Sequence, residues 1–245
     1  MRVTITYIHH NCFGLRRGDQ TFLFDYPGKS HLPDGAESLV QKFVAGTDLS
    51  VFISHSHDDH CNDDLVSMAA TARQASHVLS DDVADMRPGA VPEGVGVLIV
   101  EPDETYAFNG MVVETLLSND LGVAFLVEVD GLRLYYGGDL AKWIWKTASR
   151  QEAAFTTDFF RAAMDRVRAF RPHVAFCNVD RRLENLAGGV EAYRDCGAQV
   201  FVPMHAFGEP GWLKEFPDMV EAKGPQLFMY ETMGDNVVYD LRQSD

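Results

Sequence analysis

Residues 55–60 read His55-Ser56-His57-Asp58-Asp59-His60, three imidazoles and two carboxylates in six positions. The run before them, Leu49-Ser50-Val51-Phe52-Ile53-Ser54, has the length and apolar content of a buried strand. After them, Cys61-Asn62-Asp63-Asp64 reads as a helix entry, with Asn62 as cap and the acidic pair in the first turn. The cluster therefore occupies a loop between strand and helix, where several side chains can turn toward one point. Neutral imidazole and carboxylate are ligands of divalent ions, zinc, manganese or iron foremost. The competing reading is a polar surface turn that collected histidines by chance. It does not explain why so many ligand-type groups follow one buried strand.

Composition narrows the field. The chain has 245 residues, 46% of them hydrophobic, enough for a substantial core. A net charge of -15 argues against tight binding to a phosphate backbone, which needs a basic surface, and suits a cytoplasmic protein. The four cysteines, Cys12, Cys61, Cys177 and Cys196, are scattered without a C-x-x-C pair, so reduced thiols are expected. The N-terminus reads directly as a strand rather than a signal peptide. No apolar run approaches the roughly 18 residues of a membrane span.

Taken in order, residues 3–8 and 20–26 read as two strands joined across Gly14 and Gly18-Asp19, the second ending at Asp25 before a Pro27-Gly28 turn. Asp25 either supports the metal-binding loop or caps its own turn. Helical spacing covers 36–44 and 63–72. Strand patterns at 95–100, 105–108 and 111–117 close a first half, with a short helical turn at 82–86. Asp130-Gly131 between apolar strands 123–129 and 132–136 is a hairpin signal. In Gly137-Gly138-Asp139 the glycines allow close backbone approach and set the aspartate off the sheet rim. Residues 157–170 form an amphipathic helix, 174–179 a buried strand, 189–196 a helix, 199–202 a strand and 210–222 a closing helix. Strands at 226–230 and 236–241 end the chain. His77 and His173 read as structural. Strands followed by helices, twice, make one α/β domain of two pseudo-related halves, about 1–110 and 111–245, packed as a four-layer sandwich.

The cluster also resembles H-x-H-x-D-H, the signature of the metallo-β-lactamase superfamily, matched by His55, His57, Asp59 and His60. The resemblance implies an αβ/βα sandwich with two metal ions at one edge. His55 and His57 would bind the first ion, Asp59 and His60 the second, Asp139 would bridge them, and His205, just after a buried strand, would be the last ligand. The segment holding His10 would border the pocket. The usual third histidine of the first ion is missing, since none lies between His77 and His173; Asp120 is the nearest replacement and Asn119 the next. Together, 118–125 and 137–139 resemble a bacterial branch with aspartate there, distantly like ascorbate-6-phosphate lactonase-like hydrolases. With Asp120 the site would hold three carboxylates beside four imidazoles, a set that favours manganese or iron over zinc. The alternatives are an Asp120 turned away from a weak ion, or a decayed site.

The function expected is metal-dependent hydrolysis: water activated by two divalent ions attacks an ester, lactone, amide or phosphoester of a small, anionic substrate. Asp59 and Asp139 would orient and deprotonate the water, and His205, His10 or Asp120 would protonate the leaving group. His10 and Arg182 would contact substrate, Arg182 through a bidentate grip on an anionic group, and Trp143, with Trp145, would wall the pocket. An iron-dependent redox enzyme and a non-catalytic metal-binding module are the alternatives; a nuclease fits the acidic charge poorly. No nucleic-acid or membrane partner is expected, and a homo-oligomer is compatible with the sequence.

Overall fold

The computed structural model describes residues 1–94, 96–220 and 224–243. The chain opens with an antiparallel meander, β1 (Arg2–His9), β2 (Cys12–Arg17) and β3 (Gln20–Phe24). Val3, Ile5 and Tyr7 alternate into the core along β1, the period-2 pattern of a pleated strand. Crossover helices then feed parallel strands: α1 (Ala36–Val44) leads to β4 (Asp48–Ile53), α2 (Leu65–Ala69) to β5 (Gln74–Ser80), and α3 (Asp81–Met86) to β6 (Val97–Val100).

The second sheet repeats the plan. Strands β7 (Thr105–Phe108), β8 (Met111–Leu117), β9 (Val123–Val129) and β10 (Leu132–Tyr136) form an antiparallel meander. Helices α4 (Arg150–Phe170) and α5 (Gly189–Asp195) then feed parallel β11 (Val174–Asn178) and β12 (Val200–Met204), followed by β13 (Gln226–Leu227). The last strand, β14 (Asn236–Asp240), returns to the first sheet and pairs antiparallel with β1. Each sheet has seven strands among the described residues, in the orders β14-β1-β2-β3-β4-β5-β6 and β13-β12-β11-β10-β9-β8-β7. Phe13, Phe24, Phe52, Phe125, Tyr136 and Phe176 interlock between the sheets, with Phe24 and Tyr136 stacked at 4.7 Å. The mixed sheets with flanking helices are the expected α/β sandwich.

Several boundaries differ from the sequence reading. The stretch expected to be a connection between two strands is itself strand β2. Gly14 is no turn residue there; a Cβ on it would lie 2.3 Å from the Phe43 ring, so glycine is needed for α1 to approach. Helix α4 begins at Arg150 rather than 157, held by a capping box in which Ser149 and Glu152 satisfy each other's backbone N–H groups. Asn62 does not cap α2. Its amide donates to the Pro27 carbonyl at 2.8 Å, and Asp64 is the cap, accepting from Ser67 N at 2.8 Å. The closing helix is a 3-10 turn, Pro210–Glu215, followed by the short α6, Phe216–Met219. Its expected end at 221–222, like residue 95 of the expected strand 95–100, lies outside the described residues. Strands β7 and β8 belong to the second sheet, not the first.

Candidate metal centre

The ends of the central strands converge on one rim. Asp25 follows β3, Ser54 and His55 follow β4, Asp139 follows β10, Asp180 follows β11, and His205 follows β12. All five strands end their parallel pairings on that side, where open α/β sheets place their sites. The turn between β1 and β2 brings His10 and Asn11 to the same place. Gly122 and Gly138 let the two rims meet. A Cβ on Gly122 would stand 2.1 Å from the Ser54 carbonyl, and one on Gly138 would stand 2.6 Å from the Ser54 Cβ.

Asp139 lies at the centre. Its Oδ2 is 3.8 Å from His55 Nε2, and its Oδ1 is 3.4 Å from His60 Nε2 and 3.6 Å from His205 Nε2. Asn11 donates to Asp139 Oδ1 at 3.1 Å, and the Trp143 indole donates to the Asp139 backbone carbonyl at 2.8 Å. One group of ligand atoms comprises His55, His57, Asp120 and Asp139, all within 4.8 Å of one another. His57 Nδ1 stands 3.0 Å from His55 Nε2 and 3.5 Å from Asp120 Oδ2. A second group comprises His10, Asp59 and His60. Asp59 Oδ2 is 3.4 Å from His10 Nε2 and 3.8 Å from His60 Nε2. His10 is thus buried among ligand-type groups. The open cavity of about 330 Å³ beside the cluster is lined instead by Asp59, Asn119, Asp120, Asp139, Trp143, Trp145, Arg182, His205 and Phe207.

A supporting layer aims these side chains. Asp25, fully buried, receives Ser54 N, Ser54 Oγ and His60 Nδ1 at 2.7 Å and the Tyr136 hydroxyl at 2.6 Å. This leaves the His60 proton on Nδ1 and turns Nε2 toward Asp59 and Asp139. Ser54 Oγ also contacts His55 Nδ1 at 2.9 Å, and Asp180 Oδ2 stands 3.2 Å from His205 Nδ1. Arg87 braces the loop itself, donating to the carbonyls of Ser56 and Cys61 and pairing with Asp58 and Asp63. Asp82 accepts from Ser56 N at 2.8 Å. His10, Asp25 and His205 all hold positive φ, a strain that concentrates at functional sites.

The electrostatics are those of a site built around charge. Burial pushes His55 down to about 3 and His10 down to about 4, so both are neutral, ligand-ready rings at neutral pH. Burial opposes ionisation of Asp139 too, but His60 and His205 overcome it and hold the carboxyl well below its usual range. The same carboxylate raises His60 and His205 against their burial. Burial and the neighbouring Asp139 raise Asp120.

The residues fit a divalent cation. The Nε2 atoms of His10 and His60 are buried without hydrogen-bond partners, each facing a carboxylate oxygen, and a buried nitrogen without a partner is costly. Imidazole nitrogen and carboxylate oxygen make up the donor set. Asp25, Tyr136, Asn11, Asp180, Asp82 and Arg87 had no role, or only an open one, in the sequence reading. The signal for Asp25 and Asp180 was their place directly after buried strands, which the ligands share.

Known proteins share this fold. The beta-lactamase superfamily domain matches residues 4–158. Among curated proteins there is no match. Igni18, a metallo hydrolase from the archaeon Ignicoccus hospitalis KIN4/I, shares the fold at a TM-score of 0.66 and 20% identity, over 99% of this chain and 100% of that one. The metallo-beta-lactamase fold protein YhfI from Bacillus subtilis gives 0.62 at 13% identity, over 97% and 99%. CmlA, a diiron beta-hydroxylase from Streptomyces venezuelae, gives 0.52 at 12% identity, over 97% of this chain and 54% of that one. With the domain match spanning well over half of its length and a His/Asp cluster that fits the H-x-H-x-D pattern, the chain belongs to the beta-lactamase superfamily.

Proposed function

We propose that the chain is a metal-dependent hydrolase acting on an ester, lactone, amide or phosphoester of a small molecule in the cytoplasm. The observation that carries this reading is the convergence of His55 and His60 from the 55–60 loop and of His205 on the Asp139 carboxylate, with His10 against Asp59, beside an open cavity. His55, His57 and Asp120 would hold one ion, and His10, Asp59, His60 and His205 a second; Asp139 lies between these two groups of side chains. A divalent ion held there would polarise the attacked oxygen and lower the pKa of water.

The rest is the work of the chain. Asp25 and Ser54 fix the ring orientations of His60 and His55, so the donor set is organised before anything binds. Asn11 holds the Asp139 carboxylate and Trp143 holds its backbone, which keeps the central oxygens in place. Asp59 and Asp139, both facing the cavity, are the proposed acceptors for a proton from water. The excess negative charge supports a small-molecule substrate over a nucleic acid.

Metal analysis of the purified protein and of Asp120→Ala tests the assignment. Occupancy should fall from two ions toward one in the variant, with loss of activity toward generic phosphoester, thioester and lactone substrates. Unchanged two-ion occupancy removes Asp120 from the site, and metal binding without any hydrolysis leaves a non-catalytic module. One second reading has support. Three carboxylates favour a hard cation, and CmlA, of the same fold, is a diiron beta-hydroxylase. Iron content coupled to oxygen consumption would identify that chemistry.

A further inference from the structure

Arg182 stands where two cavities meet. The metal-facing cavity and a second one of about 410 Å³, lined by Ile144, Lys146 and Leu183 among others, share Trp145 and Arg182. Among the described residues, Arg182 is the one Lys or Arg on the metal-facing cavity. Its guanidinium is held on several sides. Asp180 takes the edge formed by Nε and Nη2, at 2.9 Å and 2.6 Å. The Phe207 ring lies 4.0 Å from the guanidinium carbon and the Trp145 ring 5.6 Å from it. A guanidinium has five N–H donors in a rigid fork. With two directed at Asp180, the Nη1/Nη2 edge is left, and the side chain remains 48% exposed. That edge has the spacing of a planar carboxylate and binds one bidentately.

Resting on the hydrolase reading of the neighbouring site, we propose that the substrate carries a carboxylate, gripped by the free edge of Arg182, and a flat apolar group laid against Trp145. The held guanidinium loses little freedom on binding, so the subsite is organised in advance. Trp145 and Phe207 are large apolar side chains left exposed at a concave surface, as ligand-contacting aromatics are. Trp143 stacks near-parallel to Trp145 at 6.4 Å and is tied to Asp139, which connects the subsite to the central carboxylate.

The test is titration of the metal-loaded protein with benzoate, benzyl alcohol and phenyl phosphate, followed by tryptophan fluorescence. Benzoate should bind roughly tenfold or more tightly than benzyl alcohol, as a charge-assisted pair provides. Arg182→Met should erase that preference with metal content unchanged, and Trp145→Ala should weaken benzoate but not acetate. Equal binding of benzoate and benzyl alcohol, or a preference that survives Arg182→Met, overturns the proposal. So does phenyl phosphate binding more tightly than benzoate. Metal loss in Arg182→Met overturns it as well, by making Arg182 only the anchor of Asp180 beside His205. If benzoate behaves as expected but no ester, lactone, amide or phosphoester, with or without a carboxylate, is hydrolysed, the subsite stands and the hydrolase reading falls.

Discussion

At Asp25 four donors converge on two oxygens, and one of them is the proton-bearing nitrogen of His60. Asp25→Asn keeps the shape but replaces an acceptor with a donor facing that nitrogen. The His60 tautomer loses its fixing partner, and metal affinity should fall by about 10–100-fold in a chelator competition. Unchanged affinity would confine Asp25 to bracing the backbone of Ser54. Histidine chemistry away from the site gives a second expectation. His77, on β5, is buried, and desolvation pushes it down to about 4. The folded chain therefore disfavours its charged form, while the unfolded chain takes up a proton near pH 6.5. Between those values the unfolded state binds more protons, so stability falls as pH falls. Acidification from pH 7 to 5 should cost about 2 kcal/mol through this residue. Denaturant unfolding of wild type and His77→Leu at both pH values measures it; the variant should lose that part of the dependence.

The rim contacts belong to the scale of elements. Gly138 has φ +49, and a methyl there meets Ser54 from the opposite sheet. Gly138→Ala should cost about 2–4 kcal/mol. It should also weaken metal binding, because Ser54 contacts both Asp25 and His55. Gly131→Ala, in the β9–β10 turn with nothing near its Cβ, should carry only the dihedral cost and leave metal affinity unchanged. Denaturation with and without metal separates the two. Element boundaries were readable where an apolar stripe marked them. The first turns of α4 escaped because Phe155 is exposed and the buried face begins at Phe160, although Ser149 and Glu152 spelled the cap. β2 escaped because Gly14 imitates a turn until Phe43 is known to lie against it.

For the molecule as a whole, metal binding and folding are linked. If the cluster binds metal only when assembled, free metal at a hundredfold its Kd adds about 3 kcal/mol, or about 5–10 °C in Tm. Thermal melts with excess metal and with chelator measure this; coincident melts would mean that the site contributes nothing to folding. The α/β sandwich could be read ahead because each half announces itself by strands followed by helices, and the cluster at 55–60 names its family. The supporting residues could not. Asp25, Asp180 and Arg87 are ordinary charged residues in sequence, and their tasks arise only when strand ends from both sheets share a rim. The strands at 105–108 and 111–117 were read as closing the first half for a similar reason: hairpin patterns do not say which sheet a strand joins.

Strand β14 pairs with β1, and the amino group of Met1 donates to the Leu241 carbonyl at 2.6 Å. On the ribosome, β1 would therefore emerge long before its outer neighbour and wait until residues 236–240 were released. During synthesis its edge would lie open to other nascent chains, a known route to aggregation.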